Sequence, residues 1–484
     1  VSTQQPPGGG VDYTHVGANY LEQRQLKKGA AGWVLLAGLG VSYVISGDFS
    51  GWNSGLAQGG FGGLLIATVL MAVMYTCMVF GLAEMASAMP VAGAGYGFAR
   101  RALGPLGGFA TGTAILIEYT IAPAAISVFI GGYVEALGLF GLTNGWPVYL
   151  VCYVVFVGVH LYGVGEALRL MFVITAVAVV GLLVFVIGML PMIDLSRLTD
   201  IPPTDAFGAS PFLPFGYAGI LAAFVYGIWF FLAVEGVPLA AEEARDPRRD
   251  MPKGIVAAML VLLVFAAFIL VAAPGGAGSN ALKASDNPLP AALRAVYGEN
   301  AVIAGIVNYV GLAGLVASFF SIIYGYSRQL FALSRAGYLP RKLSVTGKRK
   351  TPYLALLVPG GIGFALAAIT QNGAKLINIA VFGAALSYVL MMVAHIVLRR
   401  REPDLPRPYR TPGGVVTTSI ALVLAAAAVV ATFLVDILAA GVTAGIFVLA
   451  LGYFWFYSRH HLVAQAPEEE FEAVRRAEAE LGGT

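Results

Sequence analysis

Apolar runs of membrane-crossing length decide what this chain can fold into. Residues 168–188 read LRLMFVITAVAVVGLLVFVIG, with a single charge near one edge. A bilayer core takes about 20 such residues as one helix, and backbone polar groups inside it must be satisfied internally. The runs are continuous rather than alternating, which excludes a membrane β-barrel. They recur along the whole chain: 58% of its 484 residues are hydrophobic and 11% charged, about half the charge of a soluble domain. The expected class is therefore an all-α polytopic membrane protein, with the lipid bilayer as its first partner and no nucleic-acid partner.

Twelve spans are expected, near 33–58, 62–88, 108–139, 146–163, 168–190, 214–241, 254–274, 299–333, 352–371, 375–398, 415–436 and 438–458. With the N-terminus in the cytoplasm, 25 of the 29 Lys and Arg fall in cytoplasmic segments. The positive-inside rule then places both termini in the cytoplasm and the protein in the cell (cytoplasmic) membrane as a multi-pass chain. The polar stretch ahead of span 1 has no apolar core and does not read as a signal peptide. The charged tail from Ala466 reads as a short solvated helix. Cys77 and Cys152 fall in apolar runs and read as buried thiols. The expected organisation is a segment 1–30, a first repeat 31–200 (spans 1–5), a second repeat 201–400 (spans 6–10), spans 11 and 12 in 401–460, and a tail 461–484.

Two spans are interrupted. Span 1 contains VISGDFSGWNSG (44–55), and span 6 reads AAFVYGIWFFLAVEGVPLAAEE (222–243), with Gly227, Gly236 and Pro238. Glycine and proline break helices, and broken segments at matching places in two halves point to a transporter site. The breaks lie five spans apart, so two five-span repeats would insert in opposite orientations. Of the acids within spans, four stand out: Asp48, Glu84, Glu118 and Glu235. Buried charge is costly and marks function by default. Glu84 is the exception, near the cytoplasmic end, where pairing with Arg100 or Arg101 gives it a structural role. Asp48, Glu118 and Glu235 have no cation placed beside them mid-membrane, which suits a cationic substrate or a bound proton. Trp229 lies six residues before Glu235 and could close over a cation. No nucleophile–base pair or metal-ligand cluster suggests an enzyme, and no cofactor is expected.

Four long motifs then carry a resemblance: LAEMASAMPVAGAGYGFARRALGPLGGFATG (82–112), EEARDPRRDMPKGI (242–255), YSRQLFALSRAGYLP (326–340) and RPYRTPGG (407–414). In this order they resemble the amino acid–polyamine–organocation (APC) permeases, from about Lys27 to His460. The resemblance implies a leucine-transporter-type fold of twelve helices. Two inverted five-helix repeats are followed by two extra helices, and helices 1 and 6 are broken. It also implies alternating access, with substrate held between the breaks, and gives Glu235 and Trp229 the places of the family's span 6 glutamate and aromatic gate.

Span 1 departs from the pattern of the amino-acid members. Their Gly-Ser-Gly offers backbone N–H groups to a substrate carboxylate. Here Phe49 replaces the first glycine, and Asp48 precedes it. Both changes work against a carboxylate, and SGDFSGWNSGL looks most like the ethanolamine permeases. The expectation is import of a small amine, ethanolamine, by a proton-coupled symporter. An amino acid or polyamine permease is the alternative, and a non-transporting amine sensor a more distant one. The ammonium is expected near Asp48 or Glu118, beneath Trp229. The hydroxyl is expected at Ser46, Ser50, Asn53 or the backbone around Gly47, Phe49 and Gly51, with Tyr119, Tyr226 and Phe230 completing the site. Glu235 and Glu118 are expected to carry the coupling proton, and Ser318 and Ser321 keep sodium open. The sequence leaves the oligomeric state open.

Overall fold

Inside hydrocarbon a backbone must bond to itself, so each apolar run closes into a helix. The computed structural model describes residues 11–14, 16, 20, 31–89, 93–138, 144–163, 165–463 and 466. Most of the expected N-terminal segment and of the charged tail lies outside these. The helices are α1 Trp33–Val44, α2 Ser46–Phe49, α3 Ser54–Ala88, α4 Gly95–Glu135, α5 Trp146–Tyr162, α6 Gly165–Met189, α7 Gly216–Trp229 and α8 Pro247–Ala277. They continue as α9 Ser279–Leu282, α10 Pro288–Tyr297, α11 Val302–Arg335, α12 Tyr353–Thr370, α13 Gly373–Arg401, α14 Val415–Val435 and α15 Ile437–Phe456.

Among the described residues, ten helical segments are long and apolar enough to cross a membrane. Two shorter apolar helices, Trp33–Phe49 and Trp146–Tyr162, stand where spans 1 and 4 are expected. The expected gap between spans 1 and 2 is instead a kink inside α3, at Gly60 with φ 65°. A Cβ on Gly60 would lie 2.2 Å from the Pro214 ring, so the bend and the contact both need glycine there. α10, between spans 7 and 8, is a helix the apolar pattern does not announce.

Packing repeats with an offset of five spans. α1 (span 1) packs on α8 (span 7), while α7 (span 6) packs on α3 (span 2). α4 packs on α13 (spans 3 and 10), while α11 packs on α6 (spans 8 and 5), and α5 pairs with α12 (spans 4 and 9). This is the pairing that two like-folded halves require. Helix association in lipid relies on close approach of small residues. The buried side of α14 is accordingly Thr418, Ala421, Ala425, Ala428, Ala431 and Thr432. α15 presents Val442, Ile446, Leu449 and Phe456 outward, an apolar face suited to lipid.

The basic end of the bundle is tied by the two ends of the chain. Tyr13–Thr14 (β1) pairs in parallel with Leu462–Val463 (β2). Arg100 donates to the Tyr13 hydroxyl at 2.6 Å, and Thr14 Oγ1 donates to the Leu462 carbonyl at 3.1 Å. Beneath them Tyr96, Phe109, Tyr338 and Phe454 form a separate apolar cluster.

The Glu84 reading holds in kind and changes in partner. Arg399 Nε donates to Glu84 Oε1 at 2.8 Å, and Arg407 Nε lies 3.0 Å from the same oxygen. The Thr411 backbone N–H donates to Oε2 at 2.7 Å, and His395 Nε2 lies 3.4 Å from Oε1. Arg101 pairs instead with Glu402, at 2.6 Å. The carboxylate is thus enclosed by distant residues of α13 and of the RPYRTPGG segment, because these cover the end of α3.

Candidate functional site

Span 1 is interrupted as its sequence suggests. α1 ends at Val44, α2 covers four residues, and Ser50 is extended before Gly51 turns the chain at φ 93°. Only glycine takes that angle without strain, and a Cβ there would lie 2.5 Å from Trp229 Nε1. The Ser50 N–H still bonds to Ser46, and regular bonding resumes with Ser54 to Gly51. The Gly51 N–H bonds to Asn53 Oδ1 at 3.2 Å. The N–H groups of Trp52 and Asn53 fall between, with no backbone acceptor among the described residues.

Span 6 breaks at a place its glycines do not mark. α7 ends at Trp229, and Phe230–Ala233 turn before a tighter 3-10 segment, Val234–Glu243. Ala233 carries the turn at φ 79°, a left-handed angle that costs a non-glycine residue about 1–3 kcal/mol. Gly227 instead stays helical and packs against the backbone of Ala67 and Thr68, while Gly236 faces the Tyr119 hydroxyl.

The two breaks interlock. Gly47 abuts the Trp229 carbonyl, at 2.3 Å from where a Cβ would stand. Trp229 Nε1 donates to the Ser50 carbonyl at 2.9 Å. Trp52 stacks on Phe230 at 5.6 Å, and Phe129 meets Trp229 edge-on at 6.3 Å. Tyr226 packs its Cβ near Gly55, on the far side of the first break.

Several polar groups expected to meet substrate are spent on the scaffold. Ser50 Oγ donates to the Asp286 carbonyl at 2.7 Å. Asn53 Nδ2 donates to Leu282 at 2.7 Å and to Ser285 at 2.8 Å. These bonds draw the 282–286 loop over the break. Ser46 bonds Ser318 at 2.8 Å, Ser318 donates to the Tyr43 carbonyl at 2.6 Å, and Ser42 bonds Ser321 at 2.6 Å. Phe49 does not obstruct the break. Its ring lies against Gly311 and Gly314 of α11, where Cβ atoms would come within 2.9 and 2.7 Å of it. Its carbonyl accepts from Tyr133 at 2.9 Å. The steric case against a substrate carboxylate is thereby corrected.

The three remaining acids form two sites. Glu118 and Glu235 lie near each other and near Tyr388. The Tyr119 hydroxyl donates to Glu235 Oε1 at 3.3 Å, and Tyr75 bonds Tyr388 at 2.8 Å. Two adjacent buried carboxyls cannot both ionise cheaply, so the pair holds a proton readily. Asp48 is fully buried, and neither oxygen has a hydrogen-bond partner among the described residues; both Glu118 oxygens share that state, but Glu118 has the second carboxyl of Glu235 nearby. Tyr75, Tyr133, Tyr388 and Asp286 were not marked by the sequence. They are single residues on four different elements, and spacing carries no trace of their convergence.

The profile of the amino acid permease family matches residues 34–467. The chain is 30% identical over 383 residues to the branched-chain amino acid permease of Bacillus subtilis, covering 74% of this chain and 78% of that one. It is 30% identical over 411 residues to an uncharacterized transporter of Rhizobium meliloti, covering 82% and 85%. It is 27% identical over 390 residues to the methylthioribose transporter of Bacillus subtilis, covering 76% and 79%. None of these three is named an ethanolamine permease.

Proposed function

We propose, from the premise that this chain belongs to the amino acid permease family, that it carries a small neutral amino acid with an apolar side chain. Transport is by alternating access around the two breaks, with both termini in the cytoplasm. One observation carries the reading: with Phe49 turned onto α11, the Trp52 and Asn53 N–H groups at the break are left for a substrate carboxylate. The ammonium sits toward the carbonyls of the span 6 turn. The side chain meets Trp229, Phe230, Phe129 and Ile377, which border the breaks. The similarity to a branched-chain amino acid permease supports the same class. The Glu118–Glu235 pair carries the coupling proton, and transport is symport.

A second reading keeps the small amine, ethanolamine. It is favoured by Asp48, a buried carboxylate with no partner among the described residues. Labelled leucine uptake into proteoliposomes, with leucine, ethanolamine and putrescine as competitors, separates the readings. Branched-chain amino acids are expected to compete and the two amines are not. Saturable ethanolamine uptake that leucine fails to inhibit would replace the first reading with the second. Putrescine competition alone would point to a polyamine carrier. Glu235→Gln is expected to abolish pH-driven accumulation while retaining more of the counterflow.

A further inference from the structure

We propose that Asp48 is a proton-binding site in its own right, closed off while the broken helices are joined and opened to water when the 282–286 loop lifts. It rests on the alternating-access part of the reading above, not on the identity of the substrate.

The direction of the side chain follows from its neighbours. Ser46 bonds Ser318, and Phe49 abuts Gly311 and Gly314, so that side of α2 lies on α11. Gly47 faces the Trp229 carbonyl. Asp48 therefore leaves α2 on its remaining side, and the other long helix packed on α2 is α8. From Gly254 to Ala277, α8 carries no titratable residue. On α11, Tyr309 is exposed and Tyr324 lies beneath the Arg328 guanidinium. On α1, Tyr43 stacks on Tyr119. The Tyr133 hydroxyl is committed to Phe49. Glu118 and Glu235 interact with each other, and Asp286 with Glu135. Among the described residues, no charge and no hydrogen-bond donor reaches Asp48.

An ionised carboxylate with neither partner nor donor is far costlier to bury than a neutral carboxyl. In this closed arrangement Asp48 is the acid, COOH. Two residues along the chain, Ser50 holds the 282–286 loop and accepts from Trp229. Lifting that loop breaks the Ser50–Asp286 bond and admits water at Asp48. The proton then exchanges with bulk water, leaving a solvated carboxylate. Closing the gate requires the proton to return, so gate closure and protonation are one event.

Infrared difference spectroscopy of the purified full-length protein in lipid tests this directly. Asp48→Asn is expected to remove one protonated-carboxyl C=O band at neutral pH, relative to wild type. A Ser50→Ala/Asn53→Ala variant, whose loop is loosened, is expected to make that band titrate. In liposomes at equal pH on both sides, where no gradient acts through the Glu118–Glu235 pair, acid stimulation of counterflow is expected to fall to unity in Asp48→Asn and to persist in Asp48→Glu. A well-folded Asp48→Asn protein that loses no such band would overturn the proposal. So would loss of the band with acid stimulation intact. A wild-type protein that shows the band but carries no amino acid would sink the substrate reading and leave this one standing.

Discussion

Two buried carboxylates 36 residues apart in the chain show how surroundings divide structure from function. Glu84 is 2% exposed and meets two guanidinium groups, an imidazole and a backbone N–H. Asp48 is 0% exposed and, among the described residues, meets none of these. The first is a fixed charge whose cost is offset locally, so it fastens α3 to α13 and to the entry of α14. The second is offset by nothing in the closed state, so the molecule must either neutralise it or move. Burial alone does not distinguish them. Partner count does, and it separates a clamp from a group that responds to its surroundings.

The comparison breaks first at the clamp. Glu84→Ala leaves the Arg407 and Arg399 guanidinium groups facing one another, a loss of about 3–5 kcal/mol expected for removing one partner of a buried pair. Thermal unfolding in lipid nanodiscs measures it, with Glu118→Gln as the contrast, expected to cost under about 1 kcal/mol. Equal losses in both would erase the distinction. Phe49→Ala comes next, at about 3 kcal/mol, the lower end for a lost aromatic ring, because α2 can close onto Gly311 and Gly314. The rank of leucine over ethanolamine as competitor should survive it. A reversal of that rank would return Phe49 to the substrate site. Gly47→Ala drives a methyl group into the Trp229 carbonyl and should cost about 1–3 kcal/mol as overpacking, with uptake falling further than stability. Uptake at the wild-type rate would show that the breaks need not interlock.

The smallest effect concerns pH. Burial and the nearby Glu135 charge hold the Asp286 carboxyl above its ordinary range. A carboxyl raised in the folded state gives stability that is full below its unfolded value and is lost as pH rises through its folded value. The loop over the break is therefore held best in acid, and Asp286→Asn should flatten that part of the melting-temperature profile. An unchanged profile in the variant would free the loop from this linkage.

The spans were legible because period and length are local properties. So was the first break, since SGDFSG is polar where the bilayer tolerates little polarity. The second break was legible only as a region: Gly227 and Gly236 advertise it, yet Ala233 makes the turn, and the backbone angle of an alanine leaves no mark in sequence. Phe49 was misread because its direction depends on two glycines in a helix seven spans later. Glu84 was paired with its nearer arginines because distance along the chain was the only measure at hand. The small-amine reading rested on that ring and on Asp48 together, and the direction of the ring removes only the first of these supports.

The β1–β2 pairing sets an order on how the molecule is made. Tyr13 is synthesised well before its partner Leu462, with every described helix lying between them in the chain. Chains fold and insert from the N-terminal side as they are synthesised. The early strand must therefore wait, unpaired, while all the intervening helices enter the membrane. Joining the strands is a late step of assembly, and it reports that span 12 has arrived.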